Sequence, residues 1–141
     1  MGLRSYLVIA ALSALAPQSA WAQATAFEGA WLEEGAGVCT DVFAAAGKAL
    51  SFKRPASAFA SAFIIRNRRL STPLAACRID QISPQGPRQI LYLSCTTSIA
   101  TDSARAAFAL ADDGGLYRFS AGEAGTATKY RRCTPEALKT P

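Results

Sequence analysis

No histidine occurs anywhere in the 141 residues. That absence removes Ser–His and Cys–His nucleophile pairs and every metal site built on imidazole. The chain holds 4 cysteines but no Cys-x-x-Cys pair, so the ligand spacing of a structural zinc site is missing too. No Ser-x-x-Lys run frames a Ser–Lys dyad through Lys48, Lys53, Lys129 or Lys139. Internal repeats, low-complexity blocks and interdomain linkers are also lacking, and the length indicates one domain. Neither Glu33-Glu34 nor Asp112-Asp113 suggests a facing carboxylate pair, since neighbours on turns are normally solvated. Asp112-Asp113-Gly114-Gly115 has too few ligands for a calcium loop. No cofactor is expected, and the chain reads as a non-enzyme.

Half of the residues are hydrophobic, enough for a packed core. Lys plus Arg number 15 against 10 acidic groups, a net charge of +5. That excess is small for a dedicated nucleic-acid binder, and no nucleic-acid partner is expected. The first segment carries Arg4, an apolar stretch Leu7 to Ala16, then Ala20-Trp21-Ala22. This succession predicts a signal peptide over residues 1–22, cut between Ala22 and Gln23. The stretch is too short to span a bilayer, so no transmembrane anchor remains after cleavage. The expected location is periplasmic or secreted. Residues 23–133 then form a single β domain, and 134–141, with two prolines, a flexible C-terminal tail.

In an oxidising compartment Cys39, Cys77, Cys95 and Cys133 read as two disulfides. Their spacing permits a sequential arrangement, Cys39–Cys77 with Cys95–Cys133. It equally permits a nested one, Cys77–Cys95 inside Cys39–Cys133. Cys77 and Cys95 lie equidistant from Gly86 and can face each other across a hairpin there.

Periodicity predicts a first strand over Phe27 to Leu32 and a turn at Glu33 to Gly37. Thr40 or Asp41 can cap a helical stretch Val42 to Ala46, with Phe43 facing inward and Gly47 at its C-terminus. Strands follow over Ala58 to Ile65 and Leu70 to Ile82, joined by the basic hairpin tip Arg66-Asn67-Arg68-Arg69. Ser83 to Pro87 reads as a loop, and Ile90 to Thr97 as the clearest strand. Ala104 to Ala111 alternates as a strand, with helix as the alternative. Asp112 to Gly115 is a hairpin turn, Leu116 to Ala121 the returning strand, Gly122 to Gly125 a further turn, and Thr126 to Cys133 the last strand. The fold class is mostly β: an antiparallel meander barrel or sandwich of about 6–8 short strands with one short helix and two disulfides.

Gly29-Ala30-Trp31 on the first strand, a short helical segment and then a meander resemble the calycin-type barrels: lipocalins and the small bacterial metalloprotease inhibitors. The resemblance implies that Trp31 closes one barrel end beneath Arg131 or Arg132 from the last strand, since a guanidinium stacks well on an indole. It also implies a bridge from Cys39 to Cys77, and with it Cys95–Cys133. Gly29-x-Trp31, Cys77-Arg78-Ile79, Leu93-Ser94-Cys95 and Tyr130-Arg131-Arg132-Cys133 together are similar to small exported two-disulfide proteins of alphaproteobacteria. That similarity implies no particular activity. The chain is shorter than a lipocalin and lacks the polar N-terminal arm that such inhibitors thread into a protease cleft.

The expected function is a periplasmic non-enzymatic binding or inhibitory module, monomeric, meeting a periplasmic protein or an anionic envelope component. Arg66, Arg68, Arg69 and Arg131 are the candidate binding surface; Gly29, Trp31 and Arg132 are structural. A lipocalin-like barrel for small ligands is the alternative, with a Ser/Lys hydrolase behind it. An apolar cleft would be lined by residues such as Phe59, Phe63, Tyr92, Phe108, Tyr117 and Phe119.

Overall fold

The computed structural model describes residues 25–120 and 126–139. The expected signal peptide, its cleavage point and the Gly122 to Gly125 turn lie outside the described residues. Eight antiparallel strands close into a barrel: β1 Gly29–Glu33, β4 Ala62–Arg66, β5 Arg69–Ser71, β6 Ala76–Gln85, β7 Arg88–Thr96, β8 Thr101–Leu110, β9 Leu116–Phe119 and β10 Ala127–Cys133. The first strand completes the circle by pairing with both β10 and β4, so that Trp31 sits opposite Arg132 on one side and Phe63 on the other. Each barrel strand has a partner on both sides, although β6 after Ile79 and β8 before Ala107 are paired on one side only.

Between β1 and β4 the chain leaves the wall. It makes one helical turn, α1 Cys39–Val42, and then a separate hairpin of β2 Phe43–Ala46 and β3 Ala49–Phe52. The helix predicted over Val42 to Ala46 is therefore displaced. Gly47, with φ of +65°, takes the left-handed turn that reverses the chain between two four-residue strands. Phe43 is buried as expected, but from a strand, stacked on Phe52 at 5.4 Å. The pairing with Leu50 and Phe52 overrides the local helix preference of the alanines.

Two other elements differ from the periodicity. The strand expected from Leu70 to Ile82 reverses at Thr72 to Ala75, where the Thr72 amide donates to the Ala75 carbonyl at 2.9 Å. Thr72 Oγ1 accepts from the Leu74 and Ala75 amides in the same turn. The loop expected at Ser83 to Pro87 shrinks to Gly86-Pro87, because Ser83, Pro84 and Gln85 continue β6 opposite β7. Pro84 is tolerated because β5 pairs only with residues 76–78 of β6, which leaves no partner there for its missing N–H. A β-bulge between Ile79 and Gln81 lets both Ile79 and Ile82 face inward despite their three-residue spacing.

Side chains fill the barrel. Trp31, Phe63, Leu91, Phe108, Leu116 and Tyr130 form the centre of one buried cluster. A second cluster lies outside the wall: Ala30, Leu32, Ala62, Ile64 and Cys133 on the outer faces of β1, β4 and β10 pack against Phe43 and Leu50. This is why β1 and β4 are buried on both faces and lack polar alternation. Residues 134–139 form turns, with Leu138 half-buried against the outer cluster.

The disulfides are Cys39–Cys133 and Cys77–Cys95, the nested pairing. The bridges Cys39–Cys77 and Cys95–Cys133, implied by the resemblance, are overturned by the barrel wall. Cys77 and Cys95 are ladder partners with Cα atoms 4.0 Å apart, and both belong to the inner cluster. Cys39 and Cys133 belong to the outer one. No sequential pairing can form without passing a sulfur through the sheet. Two disulfides fit an oxidising environment.

Candidate functional site

The first candidate constellation is Gly29, Trp31 and Arg132. Trp31 is fully buried, and its Nε1 donates to the Phe27 carbonyl at 2.8 Å. The Arg132 guanidinium lies 4.3 Å from the Trp31 ring centroid and donates to the carbonyls of Glu28 and Ala26. Arg132, not Arg131, therefore caps the indole. Burial against the ring draws the Arg132 guanidinium below its ordinary pKa. Gly29 has φ of +143°, and a Cβ there would meet Arg132 Nη1 at 2.5 Å. The glycine is what lets the arginine lie across the barrel end. Trp31 and Gly29 serve packing here, and Arg132 ties β10 to the segment before β1 through the Glu28 and Ala26 carbonyls.

The expected apolar cleft does not assemble. Phe63 and Phe108 pack on each other at 5.4 Å inside the barrel, whereas Phe59 is 96% exposed in the segment before β4. Tyr92, Tyr117 and Phe119 are half-buried and accompanied by cations, with Arg88 seated 3.6 Å from the Phe119 centroid. On the neighbouring turn the Asp113 carboxylate is bound by Lys129 and the Gly115 amide, which holds its pKa below the usual carboxylate value.

The basic tip yields more. Asn67 and Arg68 both adopt positive φ, 49° and 62°, making the tight turn between β4 and β5. That turn places Arg66 and Arg69 directly opposite each other in the ladder, and Arg69 is in turn opposite Arg78 on β6. Arg78 is ion-paired with Asp80 at 2.6 Å. Asp80, which also accepts from Ser94, is held below the usual carboxylate pKa, chiefly by that hydroxyl and then by Arg78. Arg66 Nη2 donates to the Leu50 carbonyl at 2.6 Å, bridging the barrel wall to the outer hairpin.

Between that hairpin and the outer face of β4–β5 runs an open groove of about 750 Å³. Lys53, Arg54, Arg66 and Arg69 line it, with Ser51, Ser71 and Thr72 among its hydroxyls and Ile64 and Phe52 among its apolar residues. None of its lining residues is acidic. Among the described residues the side chains of Lys53, Arg54 and Arg69 make no hydrogen bond or ion pair. Arg68 is absent from the groove and lines a neighbouring shallow recess, which Arg69 also borders, with Arg78, Ile79 and Asp80. Arg131 lies outside the groove and donates to the Gly37 carbonyl. So two of the four candidate arginines meet, and Lys53 and Arg54 join them. The sequence signal for that pair is two adjacent cations before a proline, a loop signature.

Clustered cations without acidic partners make a local positive potential that attracts anions. The volume lies in the range of small-molecule sites. Comparison with known protein families, curated proteins and solved structures finds no match to this chain.

Proposed function

We propose that the chain is an exported, non-enzymatic binding module that holds an anionic ligand in this outer groove. The observation that carries the reading is a groove lined by four cations and no carboxylate. The filled barrel supports it, because the side chains leave the interior to packing and direct binding to the surface. The two disulfides and the Arg4, apolar, Ala-x-Ala succession support a periplasmic setting, where anionic polymers and headgroups are at hand.

The test is calorimetric titration with polygalacturonate, inorganic tripolyphosphate and an acidic peptide. Lys53→Ala/Arg69→Ala is expected to weaken binding of the preferred anion at least tenfold. Arg105→Ala/Arg118→Ala, with the same loss of charge elsewhere, is expected to change it less than twofold. Equal losses in both variants, or no binding at all, would reject the groove.

A second reading, inhibition of a protease, is favoured by the β7–β8 hairpin. Residues 96–105 are exposed on both faces, and Ile99 at the tip is 94% exposed. Thr97 ties the tip to Ala100 through its amide and hydroxyl, and Cys77–Cys95 staples the base. Such a tip is pre-ordered for insertion into an apolar pocket. Stoichiometric loss of periplasmic protease activity, abolished by Ile99→Asp, would establish it.

A further inference from the structure

We infer that the groove selects a phosphate monoester over a carboxylate, with Arg66 and Arg69 closing on one phosphoryl group; this rests on the anion-binding reading above. Directly opposed residues on neighbouring strands place their Cβ atoms about 4.5–5.5 Å apart. Arg66 and Arg69 hold that relation on the outer face, a like-charge juxtaposition that costs stability unless an anion lies between the two. Each guanidinium carries five N–H donors in a flat fork. On Arg66 the Leu50 carbonyl takes one donor, which fixes the fork beside the groove and leaves the rest for a ligand. Arg69 is uncommitted among the described residues.

Ligand shape then decides. A carboxylate offers two oxygens in one plane, and a single fork engages both along one edge. A phosphate monoester offers three unesterified oxygens around a tetrahedron, so two forks can bind it from different planes. Its charge near −2 also matches the pair. Ser71, on the same face of β5 as Arg69, adds a hydroxyl donor. Lys53 and Arg54 stand across the groove for a further negative charge, and Ile64 with Phe52 meets the carbon body of the ester. A phosphorylated lipid headgroup and a soluble sugar phosphate share this chemistry.

The full chain, exported from a bacterial host, is titrated with glucose 1-phosphate and with inorganic phosphate. Flotation with vesicles of phosphatidylcholine plus phosphatidic acid is compared with vesicles in which phosphatidylglycerol, a diester, replaces the monoester. Either glucose 1-phosphate or phosphatidic acid is expected to bind at least tenfold more tightly than polygalacturonate or the diester vesicles, and the better of the two names the source. Arg69→Lys, which keeps charge but removes the fork, is expected to erase that preference while leaving thermal stability unchanged. Because Arg66 also supports the outer hairpin, Arg69→Lys is the decisive variant. Polygalacturonate or the diester bound as tightly as the monoester, with loss in the Lys53→Ala/Arg69→Ala variant, overturns the phosphate assignment and leaves the anion reading standing. Absence of binding to every anion overturns both.

Discussion

The barrel interior and the outer hairpin both bury aromatic side chains, yet they are held by different means. Inside, a closed ladder of eight strands surrounds Trp31, Phe63 and Phe108, and the Cys77–Cys95 staple spans only 18 residues. Outside, two four-residue strands rest on the wall through Phe43 and Leu50, tied by Cys39–Cys133 across 94 residues. An isolated two-stranded hairpin is marginal in water. The hairpin is thus a dependent layer, and the cation groove lies along the seam where it meets the wall.

The sharpest way to break this contrast is to remove one bridge at a time. In chain-entropy terms Cys39→Ser/Cys133→Ser is expected to cost ~4–5 kcal/mol, and Cys77→Ser/Cys95→Ser about 3 kcal/mol. Urea unfolding measures both. Hydrogen exchange should separate them further, with the first variant exposing amides of residues 39–56 while β7 and β8 stay protected. Equal exposure throughout would show that the outer layer is no separate unit.

Side-chain truncation comes next. Phe108→Ala opens a cavity in a filled interior and is expected to lower stability by ~3–5 kcal/mol, read as a cooperative shift of the whole unfolding curve. Phe43→Ala is expected near 3 kcal/mol, because the hairpin can settle onto the wall. It should also weaken anion binding, whereas Phe108→Ala should not.

The smallest effect concerns Asp113. Its carboxylate is held below the ordinary value of 3.8, first by Lys129 and then by the Gly115 amide. A lowered folded pKa stabilises fully above the unfolded value and is lost as pH falls through the folded one. Asp113→Asn should therefore lower stability slightly above about pH 4, where the carboxylate's contribution is fully present. It should converge with the parent protein as pH falls through the folded pKa, so that the acid limb is shallower. Lys129 is raised by the same partner, so its share is lost only as alkaline pH passes its elevated pKa.

Much of the wall was legible in the chain. Leu91, Leu93, Ala106 and Phe108 alternate as half-buried strands do, and the Asp112 to Gly115 turn stands where it was read. The Asn67 turn was readable because asparagine tolerates positive φ. What escaped depends on partners distant in sequence. Val42 to Ala46 has a helix-forming composition until Leu50 and Phe52 fold back onto it. The bulge before Gln81 breaks the period of two, so Ile79 and Ile82 do not announce a common face. The cysteine pairing was misjudged because which side of the sheet a sulfur occupies emerges only once the ring is closed. Arg66 and Arg69 were visible as neighbours of one turn. Lys53 and Arg54 reach them only through tertiary packing.

Closure of the ring by its last strand also orders assembly in time. A chain emerging N-terminus first presents Cys39 and then Cys77, with Cys95 and Cys133 still to come. Oxidation in order of arrival would join the first two, the link that the finished wall forbids. Cys77 finds its native mate as soon as the β6–β7 hairpin is complete, but Cys39 must wait for the final strand to deliver Cys133. In that order of emergence the inner bond can close before the outer one has both its sulfurs. A premature Cys39–Cys77 link has to be exchanged through a mixed disulfide before the barrel can shut, which makes correct maturation a matter of thiol exchange as much as of packing.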